Sequence, residues 1–211
     1  MKSGFYVFVK GLIGIPAKGY FRLHIHGSEN EPTEADGPYI IASNHVSNAD
    51  PVFLCLAVKH QQPHFMAKKE LFKVPVINKL VGALGAYPVD RGGADVGAIK
   101  KTIRMLEEGK CIGIFPQGHR QKGIDPEKTE VKNGIGMVAA KAGATVLPCY
   151  IKMKKRRWAL FRRVDVYVGE PIPFKDFNYD PEASGEYARI SKQIFERICT
   201  IGKGVEDGSD E

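Results

Sequence analysis

The sequence lacks the features that would mark a transmembrane protein or a disulfide-rich secreted protein. Its apolar N-terminal segment, residues 5–16, is broken by Lys10, two glycines and Pro16, and falls short of the roughly 20 residues that span a bilayer. No small-residue cleavage site follows this segment, so we predict no secretory signal. The four cysteines are widely spaced and form no C-x-x-C pair, which favours reduced thiols in a cytosolic compartment.

Patterns typical of metal sites and of nucleophilic cysteines are also missing. His24 and His26 lie two residues apart, and His60 and His64 lie four apart, but no cysteine or carboxylate cluster completes either pair. The cysteines lie in no nucleophile-elbow pattern, which argues against cysteine catalysis. We therefore expect neither a metal site nor a catalytic thiol.

Positive charge dominates the chain outside its C-terminal end. The formal net charge is +7, but residues 205–211 hold four acidic and no basic residues, so residues 1–204 carry +11. A body this basic prefers anionic partners: nucleic acid, phosphorylated small molecules or an anionic membrane. The densest basic stretch, 152–163, includes Trp158 and Phe161 and suits an anionic bilayer, nucleic acid or a solvated hairpin rim. Because no recognised nucleic-acid-binding motif accompanies it, we expect no nucleic-acid partner.

Apolar runs of strand and helix type alternate along the chain, as in α/β proteins. We predict one domain over 20–204, preceded by an apolar membrane-interface segment over 1–19 and followed by an acidic disordered tail over 205–211. The alternation indicates a largely parallel mixed sheet covered by helices. The N-terminal segment fits either an interfacial helix or a helix packed on its own domain. Predicted strands cover 21–26, 39–42, 63–67, 86–91, 111–115, 145–153 and 158–169, and predicted helices cover 51–60, 70–84 with a break near Pro75, 93–108, 133–142 and 182–201.

The turn at residues 43–51 carries the strongest chemical pattern. It follows a predicted strand and precedes a helix opened by Pro51, so His45 and Asp50 share one turn at the carboxyl end of a strand. A neutral imidazole can take a proton from a hydroxyl, and a carboxylate on its other nitrogen fixes the tautomer and stabilises the imidazolium. That hydroxyl could belong to the substrate. The same residues also fit a helix N-cap at Asp50 and a hydrogen-bonded turn histidine at His45.

Basic residues stand near the ends of other predicted strands. Arg91 and Arg120 each follow an apolar run, and Lys132 precedes a helix whose amino end also favours an anion. An arginine at the mouth of a parallel sheet can grip a phosphate through two hydrogen bonds, and Gly118 lets a ligand approach the backbone closely. Either arginine alone would fit an exposed side chain or a surface ion pair. Together with the histidine–aspartate turn, these residues indicate a phosphate-binding cleft.

Four ordered sequence blocks resemble those of the glycerolipid acyltransferase family. The blocks are His and Asp separated by four residues, here within 44–51; hydrophobic-Asp-Arg, here within 88–91; Phe-Pro-Glu-Gly-Thr-Arg, here 115–120; and an apolar strand with a central proline, here 146–148. Lys132 and Gly134 also match the basic residue and the glycine that commonly follow the third block. One block is weak evidence, but all four occur in order at the spacing that the family shows.

The resemblance implies a glycerol-3-phosphate acyltransferase-like fold and transfer of a fatty acyl group. His45 would be the general base on a glycerol hydroxyl, with Asp50 orienting it, and the hydroxyl would attack the thioester without an acyl-enzyme. The implied acceptor is the sn-2 hydroxyl of lysophosphatidic acid, and the product is phosphatidic acid. No cofactor is implied beyond acyl-CoA or acyl-acyl-carrier-protein as co-substrate. The implied substrate-binding residues are Arg91, Gln117, Gly118, Arg120 and Lys132.

Two positions depart from the family pattern and bear on the choice of acceptor. Gln117 stands where the family usually has Glu, and His119 stands where Thr is usual. Two alternatives stay open: an acyltransferase for glycerol 3-phosphate or another lysolipid, and a non-catalytic lipid- or nucleic-acid-binding protein of the same fold. Because acceptor and product are bilayer lipids, we expect a peripheral or monotopic protein on an anionic membrane surface, at the cytoplasmic face of the cell membrane.

Overall fold

A seven-stranded sheet forms the centre of the fold in the computed structural model, which describes residues 4–20, 22–89, 96–157, 159 and 161–206. The strands are β1 (Leu23–His26), β2 (Tyr39–Ser43), β3 (Pro63–Lys68), β4 (Tyr87–Val89), β5 (Cys111–Ile114), β6 (Thr145–Met153) and β7 (Val164–Val168). They lie in the order β1-β7-β6-β2-β5-β3-β4. All neighbours are parallel except the antiparallel pair of β6 and β7, so the predicted largely parallel mixed sheet is confirmed.

Helices cover both faces of this sheet. They are α1 (Gly4–Tyr20), α2 (Asp50–Ala57), α3 (Pro75–Ala83), α4 (Val96–Glu107), α5 (Gly134–Ala142) and α6 (Glu186–Glu206). Successive residues of a strand point to opposite faces, and β2 shows the division. Ile41 belongs to a buried cluster with side chains of α1, α2 and α3, whereas Ile40 belongs to a cluster with α4, α5 and α6.

The three central strands bring three connecting segments to one edge of the sheet. β2 lies between β5 and β6 and runs parallel to both, with Ile41 opposite Gly113 on one side and Leu147 on the other. The carboxyl ends of parallel strands meet at the same edge. The segments 44–49, 115–122 and 154–157, which follow β2, β5 and β6, therefore leave the sheet side by side.

The prediction of secondary structure succeeds where an apolar strand is long and fails near turns. β6 has the predicted bounds, and Pro75 separates a 3₁₀ turn over 69–73 from α3. The predicted strand over 158–169 is wrong in its first part, because the described residues 159 and 161–163 are not strand and strand structure begins at Val164. Before it, a 3₁₀ turn at 154–156 has positive φ at Lys155 and Arg156 and redirects the chain.

Other predicted bounds shift by a few residues. The first strand begins at Leu23, and α4 begins at Val96 among the described residues. α6 starts four residues later than predicted, because turns occupy 181–185, and it runs to Glu206, so the predicted disordered tail begins inside a helix. Arg91 and Trp158 lie outside the described residues.

α1 packs on its own domain with one side and exposes apolar residues on another. Tyr6 is fully buried and donates a hydrogen bond from its hydroxyl to the main-chain oxygen of Cys55 at 3.4 Å. The Lys10 ammonium donates to the main-chain oxygen of Val58. Exposed side chains on this helix include those of Val7, Phe8 and Leu12. No helix in the described parts of the chain is long and apolar enough to cross a bilayer.

Candidate active site

His45 and Asp50 are hydrogen-bonded within the turn that connects β2 to α2. Nδ1 of His45 lies 2.8 Å from Oδ2 of Asp50. Because a carboxylate only accepts hydrogen bonds, Nδ1 donates and carries the proton of the neutral ring. Nε2 is then unprotonated, and no described residue hydrogen-bonds to it. The pair thus has the geometry of a general base, His45, whose ring is oriented by the carboxylate of Asp50.

The carboxylate of Asp50 is held by the turn itself. Asp50 is fully buried, and its Oδ2 also accepts the main-chain N–H groups of Val46 at 2.6 Å and Ser47 at 2.8 Å. Its other oxygen, Oδ1, is buried without a partner among the described residues. Asp50 is the first residue of α2 and the capping position is Ala49, so the interpretation of Asp50 as the N-cap is wrong. Three donors on one oxygen fix the carboxylate where the imidazole needs it.

The main chain and ring of His45 are fixed by the segment that follows β5. The N–H of His45 donates to Oε1 of Gln117 at 2.8 Å, and its carbonyl oxygen accepts the N–H of Gln121 at 2.8 Å. The ring stacks on Phe115 with centroids 4.0 Å apart and planes 13° apart. His45 is therefore held through its main-chain N–H and carbonyl, through its ring face and through Nδ1. Nε2 is left as the reactive atom.

The start of the turn is tied to β6. Asn44 accepts the main-chain N–H of Ile151 at 2.8 Å and donates to the Ile151 carbonyl at 3.0 Å. A side chain that pairs with both polar groups of one residue replaces a step of the sheet ladder. The histidine turn therefore cannot rotate away from β6 without leaving two buried groups unpaired.

An apolar cavity of about 290 Å³ opens beside His45. It lies over α2, β3 and the segment leading to β4. Its lining includes Pro51, Val52, Cys55, Phe65, Met66 and Leu71. An apolar cavity next to a base suits a hydrocarbon chain that must be positioned near the reacting atoms.

A second cavity of about 630 Å³ adjoins the same turn and is basic. It is lined by Ser47, Asn48, Ala49, Arg120, Lys122 and Arg157, which come from the three segments that follow β2, β5 and β6. None of its three cations has a carboxylate partner among the described residues. Like charges gathered without a counterion attract an anion, and arginine in particular suits a phosphate. Arg120 lines both cavities.

The other predicted substrate-binding residues among those described line neither cavity. Gly118 is exposed with φ of 74°, in the turn after β5. Lys132 lines neither cavity; its ammonium lies 2.6 Å from Glu130. Gln117 is 1% exposed, and both ends of its amide bond to the protein, so the structure does not support direct contact with substrate. Arg91 lies outside the described residues, and its role stays a prediction.

Sequence reasoning missed two residues of the basic cavity and the ring under the base. Lys122 and Arg157 belong to no motif, and their meeting depends on how two loops pack, here through a hydrogen bond of 2.9 Å from the N–H of Gly123 to the Arg156 carbonyl. Arg157 was visible only as part of a basic stretch. Phe115 belongs to a recognised block, but its stacking on His45 follows from the parallel register of β2 and β5.

The cysteine side chains are not arranged for nucleophilic attack. All four are buried, and Cys55, on the wall of the apolar cavity, has a pKa raised by burial to about 12. A thiol with this pKa is protonated near neutral pH, and the thiolate is the nucleophile. Within the described residues no group of three or more metal-ligating side chains is found.

Comparison with known proteins assigns the chain to a family. A family model described as Acyltransferase matches residues 22–152. The chain belongs to the acyltransferase family. The 1-acyl-sn-glycerol-3-phosphate acyltransferase of Bacillus subtilis (strain 168) is 31% identical to this acyltransferase over 176 residues, 82% of this chain and 85% of that protein. The protein with the same description from Streptococcus pneumoniae is 31% identical over 178 residues, 82% of this chain and 64% of its own.

A solved structure shares the fold of this acyltransferase. The crystal structure of the 1-acyl-sn-glycerophosphate (LPA) acyltransferase PlsC from Thermotoga maritima superposes with a TM-score of 0.70 at 24% identity. The match covers 98% of this chain and 81% of that one. The resemblance inferred from the four sequence blocks is thereby confirmed for family and fold.

Proposed function

We propose that this acyltransferase moves a fatty acyl group from acyl-CoA or acyl-acyl-carrier-protein to the sn-2 hydroxyl of lysophosphatidic acid, forming phosphatidic acid. One observation carries the proposal: His45, paired with Asp50, lines the apolar cavity, and Arg120 lines both this cavity and the basic one. An acyl chain and a glycerol phosphate need these two environments next to each other and close to one base. The names of the two bacterial relatives supply the acceptor.

The proposed reaction is a direct transfer with His45 as the shuttle of one proton. Nε2 removes the proton of the acceptor hydroxyl as its oxygen attacks the thioester carbonyl, and Asp50 stabilises the imidazolium. The carbon–sulfur bond then breaks, and the leaving thiolate takes the proton from Nε2. The acyl chain occupies the apolar cavity, and the acceptor phosphate lies against Arg120, Lys122 and Arg157, with Arg91 as a further candidate.

A covalent intermediate on the enzyme is disfavoured by the side chains beside the base. Cys55 is the only cysteine among the described lining residues, and its raised pKa keeps it protonated. Ser47 lies in the turn, but its Oγ accepts the N–H of Ala49 at 3.0 Å and makes no hydrogen bond with Nε2 of His45 that would activate it. The acceptor hydroxyl is therefore the nucleophile in this proposal.

An assay of thiol release tests the function. Lysophosphatidic acid in liposomes should support turnover, and monoacylglycerol of the same chain length should not. Glycerol 3-phosphate is the informative third acceptor, because it carries the phosphate without the chain. Turnover with glycerol 3-phosphate alone would replace the proposed acceptor, and salt-sensitive binding of nucleic acid without any turnover would remove the enzyme assignment.

Arg120→Ala is expected to raise KM for lysophosphatidic acid by at least about tenfold, with little change in KM for the acyl donor. Losing a charged hydrogen bond to phosphate costs about 1.5–3 kcal/mol. The matched control is Lys132→Ala, because Lys132 is a neighbouring cation that lines neither cavity and is paired with Glu130. An equal rise in KM for both variants would mean that the phosphate does not bind in the basic cavity.

We also propose that the protein rests on an anionic bilayer through a docking surface, defined as Val7, Phe8, Leu12, Leu71 and Val74. All five are apolar and exposed, and α1, which carries three of them, packs against α3, which follows the other two. Leu71 also lines the apolar cavity, so the mouth of that cavity adjoins the docking surface. A lipid chain could then enter without crossing water. The exposed Lys154 and Lys155 would add attraction to anionic headgroups.

Replacing Phe8 and Leu12 together by serine is expected to weaken binding to anionic vesicles at least about tenfold, since burying each apolar side chain contributes about 1.5–3 kcal/mol. Sedimentation with vesicles measures the bound fraction. Val96→Ser is the control, because Val96 is 61% exposed but lies on α4, at the opposite face of the sheet. High salt should release the double variant completely and wild type only in part. If wild type stays in the supernatant at low salt, the membrane proposal fails.

A further inference from the structure

Gln117 lies one hydrogen bond away from the proposed base and touches neither cavity. Its Oε1 accepts the main-chain N–H of His45 at 2.8 Å, and the residue is 1% exposed. We infer that Gln117 and Thr129 form a two-residue strut that positions His45, and that position 117 does not contact the acceptor. This inference rests on the proposed role of His45 as the base.

The strut has a defined direction of hydrogen bonding. Nε2 of Gln117 donates to Oγ1 of Thr129 at 2.7 Å, and that hydroxyl donates to the main-chain oxygen of Pro126 at 2.6 Å. A flipped amide would point its NH₂ at the His45 N–H and set two donors against each other, so the network itself assigns the amide orientation. Every polar group of the strut is then satisfied.

The far end of the strut lies on a 3₁₀ turn that packs against α6. Thr129 follows a 3₁₀ turn at Pro126–Lys128, whose first residue is buried and whose N-cap, Asp125, accepts the N–H of Glu127 at 3.1 Å. The Glu127 carboxylate lies 2.7 Å from the ammonium of Lys203 on α6. The buried Pro126, whose carbonyl accepts the Thr129 hydroxyl, therefore holds the far end of the strut, as a residue that positions through its neighbour requires.

The amide at 117 is matched to the hydroxyl at 129. A carboxylate could accept from the His45 N–H but could not donate to Thr129. The hydroxyl of Thr129 would have to turn from Pro126 to the carboxylate, and a negative charge would be buried beside the histidine turn. The glutamine that departs from the family pattern thus fits its local partner, which gives it a role independent of acceptor choice.

Kinetics of variants at both positions test the strut. Gln117→Met removes the donor and the acceptor at similar volume and should lower kcat about tenfold, with KM for lysophosphatidic acid and for acyl-CoA changed less than about twofold. Gln117→Glu keeps an acceptor for the His45 N–H, so its kcat should be much closer to that of wild type than the kcat of Gln117→Met. Thr129→Val should lower kcat by a smaller factor, and Thr129→Ser should match wild type.

A double variant separates positioning from general destabilisation. Because Thr129 acts only through Gln117, Gln117→Met/Thr129→Val should have the kcat of Gln117→Met alone. Gln61→Met is the matched control: Gln61 is another buried amide, bonded to the main-chain oxygens of Thr33 and Gly37, far from the base. It should lower the melting temperature without lowering kcat of the folded enzyme.

Three results would overturn the strut. They are a rise in KM for lysophosphatidic acid at unchanged kcat in Gln117→Met, a loss of kcat no larger than that of Gln61→Met, and additive losses in the double variant. If Gln117→Met does not fold, the comparison of Thr129→Val with Thr129→Ser decides instead, and equal kcat for these two overturns the strut. His45→Ala, measured in parallel, tests the proposed function separately, since full turnover in that variant removes the base that the strut would hold.

Discussion

Replacing His45 by alanine is expected to lower kcat at least about a hundredfold, the usual effect of losing a general base. Nε2 of His45 is the proton acceptor in the proposed reaction, and the described residues place no second imidazole in either cavity. The variant should fold normally, because the bonds that fix the turn use the main chain of residue 45 and the carboxylate of Asp50. Initial rates with saturating lysophosphatidic acid and acyl-CoA measure the effect, with circular dichroism as the check on folding.

Asp50→Asn is the matched variant for the same experiment. Its amide oxygen can stay where Oδ2 lies and accept from Val46, Ser47 and Nδ1 of His45, while its NH₂ takes the place of Oδ1, which has no partner among the described residues. The tautomer is kept and only the charge that stabilises the imidazolium is lost, so the loss of kcat should be smaller than for His45→Ala. Near-full turnover of a folded His45→Ala would exclude histidine as the base.

Gly136→Ala is expected to destabilise the fold more than any other small substitution proposed here. A Cβ at 136 would lie 2.1 Å from the main-chain oxygen of Tyr187 and 2.7 Å from Oγ of Ser191, and that Oγ already accepts the Gly136 N–H at 2.9 Å. The clash is with the backbone of α6, so α5 and α6 must separate. We expect a loss of about 3 kcal/mol in the free energy of unfolding, and thus a melting temperature lower by about 6–12 °C.

Gly134→Ala provides the control within the same helix. A Cβ there would meet only Ile99 Cδ1 at 3.6 Å, an ordinary contact. Alanine is the better helix former, so this variant should be as stable as wild type or slightly more stable. Thermal unfolding of the two variants, followed by circular dichroism, isolates the effect of helix separation. Equal melting temperatures would mean that α5 and α6 do not approach as closely as described.

Much of the fold follows from the sequence because its signals are local. A long apolar run predicted both ends of β6 correctly. The order of an apolar strand, a polar turn and a helix opened by proline placed His45 and Asp50 in one turn. The motif blocks gave the family. What the sequence could not give depends on loop packing: the meeting of Lys122 with Arg157 needs two loops to pack together at the sheet edge.

Two predictions depend on local conformation that the sequence pattern does not show. Gln117 is predicted to bind substrate because of its place in a motif, and the structure does not support that contact: its partner Thr129 is twelve residues away, and only the folded loop shows that the amide is bonded at both ends. The first part of the strand predicted over 158–169 is wrong because Phe161, inside that range, has a positive φ of 63°, which breaks a strand and which the pattern of apolar residues does not predict.

The four buried cysteines can be used to measure local unfolding of this protein. Burial raises the pKa of Cys55, Cys111 and Cys199 to about 12, and that of Cys149 is also raised by burial. Alkylating reagents react with thiolates, so labelling at neutral pH waits until a segment exposes its cysteine. The four thiols lie on α2, β5, β6 and α6, so mass spectrometry of labelled peptides would rank the opening of four elements in the sheet and in the helices on its two faces. Cys55 differs from the other three, because an acyl chain in its cavity would shield it from the reagent, and its labelling rate would then follow cavity occupancy without any engineered probe.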